Sequence, residues 1–140
     1  MDKIQTLKLQ ASNDTLYTVL DAIEAYLDEN ECPDSIKSEI LVAAEEIYIN
    51  IAHYAYGGEA GEAVVQMEVS SDPKICRIAF RDKGIPYNPL NKEDPDISLS
   101  AEGRDIGGLG IYMVKQSMDK VEYHYEDGSN VLILEKRLHQ

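Results

Sequence analysis

Apolar residues recur along the chain in two distinct periods. Between residues 16 and 27, Leu16, Val19, Leu20, Ile23 and Leu27 fall at helical spacing, and Cys32-Pro33-Asp34 closes that segment. A second helical run begins near Asp34 or Ser35. It carries Ile36, Ile40, Ala43, Ala44, Ile47 and Ile51 for about five turns, until Gly57-Gly58 breaks the pattern. Residues 4–9 alternate in part, as an edge strand does, and Ser12-Asn13-Asp14 then offers helix caps. Residues 64–69 and 75–80 are β-prone runs around Ser70-Ser71-Asp72-Pro73, which predicts a hairpin. A short helix after Gly110 leads to a second hairpin, residues 121–125 and 131–134 around Asp127-Gly128. Because hairpins dominate, the expected fold is an α/β two-layer sandwich, a mostly antiparallel mixed sheet with the helices on one face.

Residues 83–107 fit no core element. Glycine and proline recur there among polar residues over a length that ordinary connections rarely reach, so a functional loop is expected. The chain of 140 residues is expected to form a single domain, 1–140. A hydrophobic content of 44% against 28% charged residues is a globular balance. The net charge of -13, without any Lys or Arg cluster, argues against nucleic acid and suits a protein partner with a basic patch. No apolar run is long enough to span a bilayer, and the start MDKIQTLKLQ lacks the regions of a signal peptide, so no membrane contact and a cytoplasmic location are expected. Cys32 and Cys76 have no companion Cys or His at metal-ligand spacing and read as structural thiols.

Three features could cooperate chemically. Glu46 and Asn50 stand four residues apart and leave one face of the long helix together, although a solvated polar pair has the same spacing. In Arg81-Asp82-Lys83-Gly84-Ile85-Pro86 a strand ends in an acid followed by glycine. A carboxylate there can accept from an exocyclic amine while glycine lets backbone approach a planar base; the same triplet also serves in turns where the acid caps its own backbone. In Gly103-Arg104-Asp105-Ile106-Gly107-Gly108-Leu109-Gly110, the glycines Gly107, Gly108 and Gly110 clear side chains from a helix N-terminus whose N–H groups can face phosphate, or simply cap the helix. No Gly-Lys-Ser/Thr follows, and no strand feeds the loop directly, which excludes Walker and dinucleotide-binding loops.

The order of these motifs resembles the GHKL (Bergerat-fold) ATP-binding superfamily over nearly the whole chain, and EEIYINIAHYAY, RDKGIPYNP and GRDIGGLGIYMV look like its anti-sigma factor serine/threonine kinases. The resemblance implies ATP and Mg²⁺ as cofactors. It implies Asn50 as the magnesium ligand and Glu46 as the carboxylate that takes the proton of an attacking serine. It also implies Asp82 as the reader of the adenine amine with Gly84 and Ile85 beside it, Gly107, Gly108, Leu109 and Gly110 in the lid, and Arg104 reaching the γ-phosphate. Implied partners are a STAS-domain anti-anti-sigma protein, a sigma factor, and a second copy paired through the first helix, although such an apolar stripe is more often simply core. The chain departs from the family at Asn50-Ile-Ala-His53-Tyr54-Ala55-Tyr56, where histidine comes one residue early; a surface place for His53 weighs above a ligand contact. No histidine-bearing dimerisation helix precedes the domain, so the acceptor serine is expected on another chain. An ATP-dependent binding switch without phosphotransfer, and simple ATP hydrolysis, are the rival readings.

Overall fold

The structure is a computed structural model, and it describes residues 4–56, 61–91 and 108–138. Its strands are β1 (Gln5–Gln10), β2 (Glu62–Val69), β3 (Ile75–Asp82), β4 (Lys120–Glu126) and β5 (Ser129–Arg137), and its helices α1 (Leu16–Glu29), α2 (Asp34–Asn50) and α3 (Gly108–Ser117). The strands form one sheet in the order β1-β2-β3-β5-β4, with every pairing antiparallel. The expected antiparallel character is thus realised throughout. β5 enters between β3 and β4, so the second hairpin joins the first across a non-local seam.

Alternation decides the two faces. On β2, Ala63, Val65, Met67 and Val69 are buried, and on β3 Cys76, Ile78, Phe80 and Asp82 are. These residues meet α1 through Leu16, Val19, Ile23 and Leu27 and α2 through Ile36, Ile40, Ala43, Ala44 and Ile47. The apolar stripe of α1 is therefore used in the core. α2 lies between α1 and α3, and its paired alanines present little bulk to its neighbours. The opposite face is charged: Glu68, Arg77, Glu135 and Lys120 follow one another in register across four strands, and Arg77 Nη2 lies 2.5 Å from Glu135 Oε1.

Local chemistry fixes the connections. Asp127 (φ 53°) and Gly128 (φ 76°) both take left-handed backbone, as a two-residue hairpin requires. Fully buried Tyr48 places its hydroxyl 2.5 Å from Thr15 Oγ1, which itself donates to Gln10 O at 2.8 Å, pinning the chain between β1 and α1 to the long helix. Cys32 and Cys76 are free and buried, and burial pushes the Cys76 thiol up to about 12, which keeps it protonated and unreactive. Among the described residues no helix is long and apolar enough to cross a membrane.

Replacement of fully buried Ile78 by alanine is expected to cost about 2–5 kcal/mol. Gly128→Ala meets no neighbouring atom, so only its left-handed backbone counts, about 1–2 kcal/mol. Urea unfolding of both variants checks the ranking; an equal loss would contradict this account of core and turn.

Candidate functional site

The end of α2 is unlike its middle. After Asn50 the helix widens into a π-helical turn, Ile51–Ala55, a form that frequently marks functional positions. This turn delivers the Ala55 carbonyl to the loop after β3, where it accepts the Ile85 N–H at 2.7 Å. Gly84 lies so close to that carbonyl that a Cβ there would overlap Ala55 O and C. Glycine is required here for backbone approach. Tyr56 reinforces the joint, accepting the Lys83 N–H at 2.8 Å and donating to Glu62 O at 2.5 Å.

Beneath this joint lies a cavity of about 440 Å³. Ile47, Phe80, Ile111 and Leu132 contribute apolar wall, and Asn50, Asp82 and Asn130 bring polar atoms to it. A mostly apolar recess with few polar groups is the usual form of a small-molecule site. Asp82 is only 6% exposed. Its Oδ1 accepts the Gly84 N–H at 2.9 Å and the Asn130 amide at 2.9 Å, while Oδ2 accepts no hydrogen bond among the described residues. Asp82 therefore caps its own turn and still keeps an acceptor oxygen for a ligand. Asn50 makes no side-chain hydrogen bond among the described residues, which leaves its amide at the cavity wall available.

Glu46 lies one turn before Asn50 and meets α3 rather than the cavity. A Cβ on Gly110 would collide with Glu46 Oε1, so glycine lets the first turn of α3 close over that carboxylate. Burial first, and then the charge of neighbouring Glu45, raise the Glu46 carboxyl above its ordinary range. Gly108 and Gly110 belong to the first turn of α3, which begins earlier than the sequence pattern placed it. Packing against α2 offsets the weak helix propensity of glycine there. Ile85 lines the cavity mouth and is 62% exposed. Gly107 and Arg104, and the side chain of Leu109, lie outside the described residues. His53, within the π turn, is exposed, with Nε2 3.2 Å from Asn13 Oδ1, and is absent from the cavity wall.

Sequence reasoning missed Asn130, Tyr87 and Tyr123. Asn130 stands opposite Asp82 in the β3–β5 register, and its Oδ1 accepts from the Tyr87 N–H at 3.1 Å and from the Tyr123 hydroxyl. Only knowledge of that strand pairing could have found it.

The chain matches the family model of the histidine kinase-like ATPase domain over residues 9–136. It is similar to the serine-protein kinase RsbW of Listeria monocytogenes, 26% identical over 104 residues that cover 71% of this chain and 65% of that protein. The RsbW of Bacillus cereus is 28% identical over 97 residues, 68% of this chain and 61% of that protein. The matches thus span less than two thirds of these relatives' length. A crystal structure of the RsbU and RsbW domains of a Mycobacterium tuberculosis protein shares the fold, with a TM-score of 0.71 at 18% identity over 99% of this chain and 33% of that one. With nearly its whole length inside the family's match, the chain belongs to the histidine kinase-like ATPase domain family.

Proposed function

We propose that the chain binds ATP with Mg²⁺ in this cavity and passes the γ-phosphoryl group to a serine of a STAS-domain partner, as a cytoplasmic anti-sigma-type serine/threonine protein kinase. The observation that carries the reading is the Asp82 carboxylate, buried in a mostly apolar recess with one oxygen unbonded among the described residues. Such an oxygen accepts a hydrogen bond from the amine of a flat apolar base, and Gly84 and Ile85 supply backbone and side chain at the mouth. The family and the names of its relatives support ATP and serine as substrates.

The residues fit magnesium. Among the described residues no three His, Cys, Asp or Glu side chains gather as a ligand set, and Asn50 offers a single amide oxygen at the cavity wall. A site with one protein ligand suits an ion that draws most of its shell from phosphate and water. Bound there, the metal supplies neutralisation of phosphate charge.

Glu46 is the base for the incoming serine hydroxyl. Its raised proton affinity brings it nearer the working pH, where a general base is most effective. Asn50 and Glu46 share a rigid helix, so the nucleotide and the base keep a fixed separation. Arg104 and Gly107 enter on resemblance alone, as groups that reach the γ-phosphate. A net charge of -13 favours a partner with a basic patch, and the family resemblance suggests a sigma factor as a second partner.

Calorimetric titration of Mg-ATP tests the site. Asp82→Asn and Asn50→Ala are each expected to weaken binding roughly 10- to 100-fold, the loss of one hydrogen bond or metal contact to a charged group. Unchanged affinity in both variants would remove the site from the cavity. Glu46→Gln is expected to keep Mg-ATP binding and lower serine phosphorylation by about 10²–10⁴-fold. The base must be ionised and its pKa is raised, so the unmutated rate should fall with decreasing pH at a midpoint above the ordinary carboxylate range; the Glu46→Gln rate should lack that limb. A STAS-domain protein that is captured in the presence of ATP but never labelled would favour the binding switch over the kinase.

A further inference from the structure

Asn130 lies on β5 opposite Asp82 and is 6% exposed. All the hydrogen-bonding capacity of its amide is used. Nδ2 donates to Asp82 Oδ1 at 2.9 Å and to Ile85 O at 3.0 Å, while Oδ1 accepts the Tyr87 N–H at 3.1 Å and the Tyr123 hydroxyl. The orientation of the amide is not ambiguous. A carboxylate and a carbonyl can only accept and a backbone N–H can only donate, so reversing the amide would break three bonds.

Asn130 thus has no donor or acceptor left for a ligand, although it lines the cavity. Its action must pass through what it holds: the Asp82 carboxylate at the end of β3, the backbone of residues 85 and 87 at the cavity mouth, and Tyr123 on β4. The terminal torsion of an aspartate is intrinsically soft and nearly two-fold. Two N–H donors on the same oxygen, from Gly84 and Asn130, remove that freedom and fix which oxygen remains for the cavity.

We infer that Asn130 is a positioning residue that sets the base selectivity of this site, by fixing the free Asp82 oxygen as a pure acceptor toward an amine-bearing purine. The inference rests on the nucleotide reading above. A base with a carbonyl in place of the amine sets two acceptors against each other and leaves a buried carboxylate oxygen unpaired, a penalty that discriminates more strongly than shape.

The test compares Mg-ATP with Mg-ITP, which exchanges the amine for an oxo group, by calorimetry on the unmutated chain, Asn130→Asp and Tyr123→Phe. Asn130→Asp keeps shape but turns an oxygen toward Asp82 Oδ1 and Ile85 O, so Asp82 loses its fixed orientation. The unmutated chain should prefer ATP. Asn130→Asp should lower the ATP-to-ITP affinity ratio by roughly tenfold or more, chiefly through ATP. Tyr123→Phe removes one of the four bonds and should lower the ratio less.

Parallel weakening of both nucleotides with the ratio intact would mark a merely structural residue and overturn the inference. If circular dichroism shows Asn130→Asp unfolded, Tyr123→Phe decides: a reduced ratio supports the inference and an unchanged ratio overturns it. Binding of both nucleotides without preference by the unmutated chain would overturn this inference and the amine contact of Asp82, and would leave nucleotide binding itself standing. Binding of neither would overturn the nucleotide reading and this inference together.

Discussion

A carboxylate buried at the end of β3 is the constraint around which the described site is organised. Burying the Asp82 charge is costly unless hydrogen bonds replace its water. The antiparallel pairing of β3 with β5 supplies one such bond, because it sets Asn130 directly opposite, and the turn at Gly84 supplies the other. Both bonds fall on a single oxygen. What remains is an acceptor facing an apolar recess, a group that a ligand donor can satisfy and that the protein among its described residues does not.

The helix layer is coupled to this strand end through backbone. α2 reaches from the base of the sheet to the site and ends in a π-helical turn, and that turn sets the Ala55 carbonyl against Gly84 and Ile85. Tyr56 adds a second tie through Lys83 and Glu62. Residues on the last turns of α2 and on the end of β3 are therefore held in one frame, as precise positioning of a bound group requires. On its other side α2 receives the first turn of α3 over Glu46, so closing that contact dehydrates the carboxylate and raises its proton affinity.

Much of this was legible in the chain itself. Helical spacing over residues 16–27 and 36–51 located α1 and α2, and Asp127-Gly128 named its turn because two successive left-handed residues suit few other sequences. Glu46, Asn50, Asp82 and Gly84 stood out because each type has a use at that spacing. Less was legible where distant segments meet. Glycines signal a break locally, so the sequence predicts a helix only after Gly110, whereas α3 starts at Gly108 and Gly110 accommodates Glu46 from another helix. The surface place expected for His53 is the one it takes, exposed and off the cavity wall, although the π-winding of that stretch leaves no mark in the sequence.

The sequence by itself determined most of the elements and their periods, and it marked Glu46, Asn50, Asp82 and Gly84 as candidates, since periodicity and turn chemistry follow from local sterics and the motif order is written along the chain. Tertiary structure alone decided that β5 inserts beside β3, that Asn130 locks one oxygen of Asp82, and that Glu46 lies beneath α3. Each joins residues 48 to 64 positions apart by burial and hydrogen-bond satisfaction, and such a pairing leaves no periodic trace in either segment.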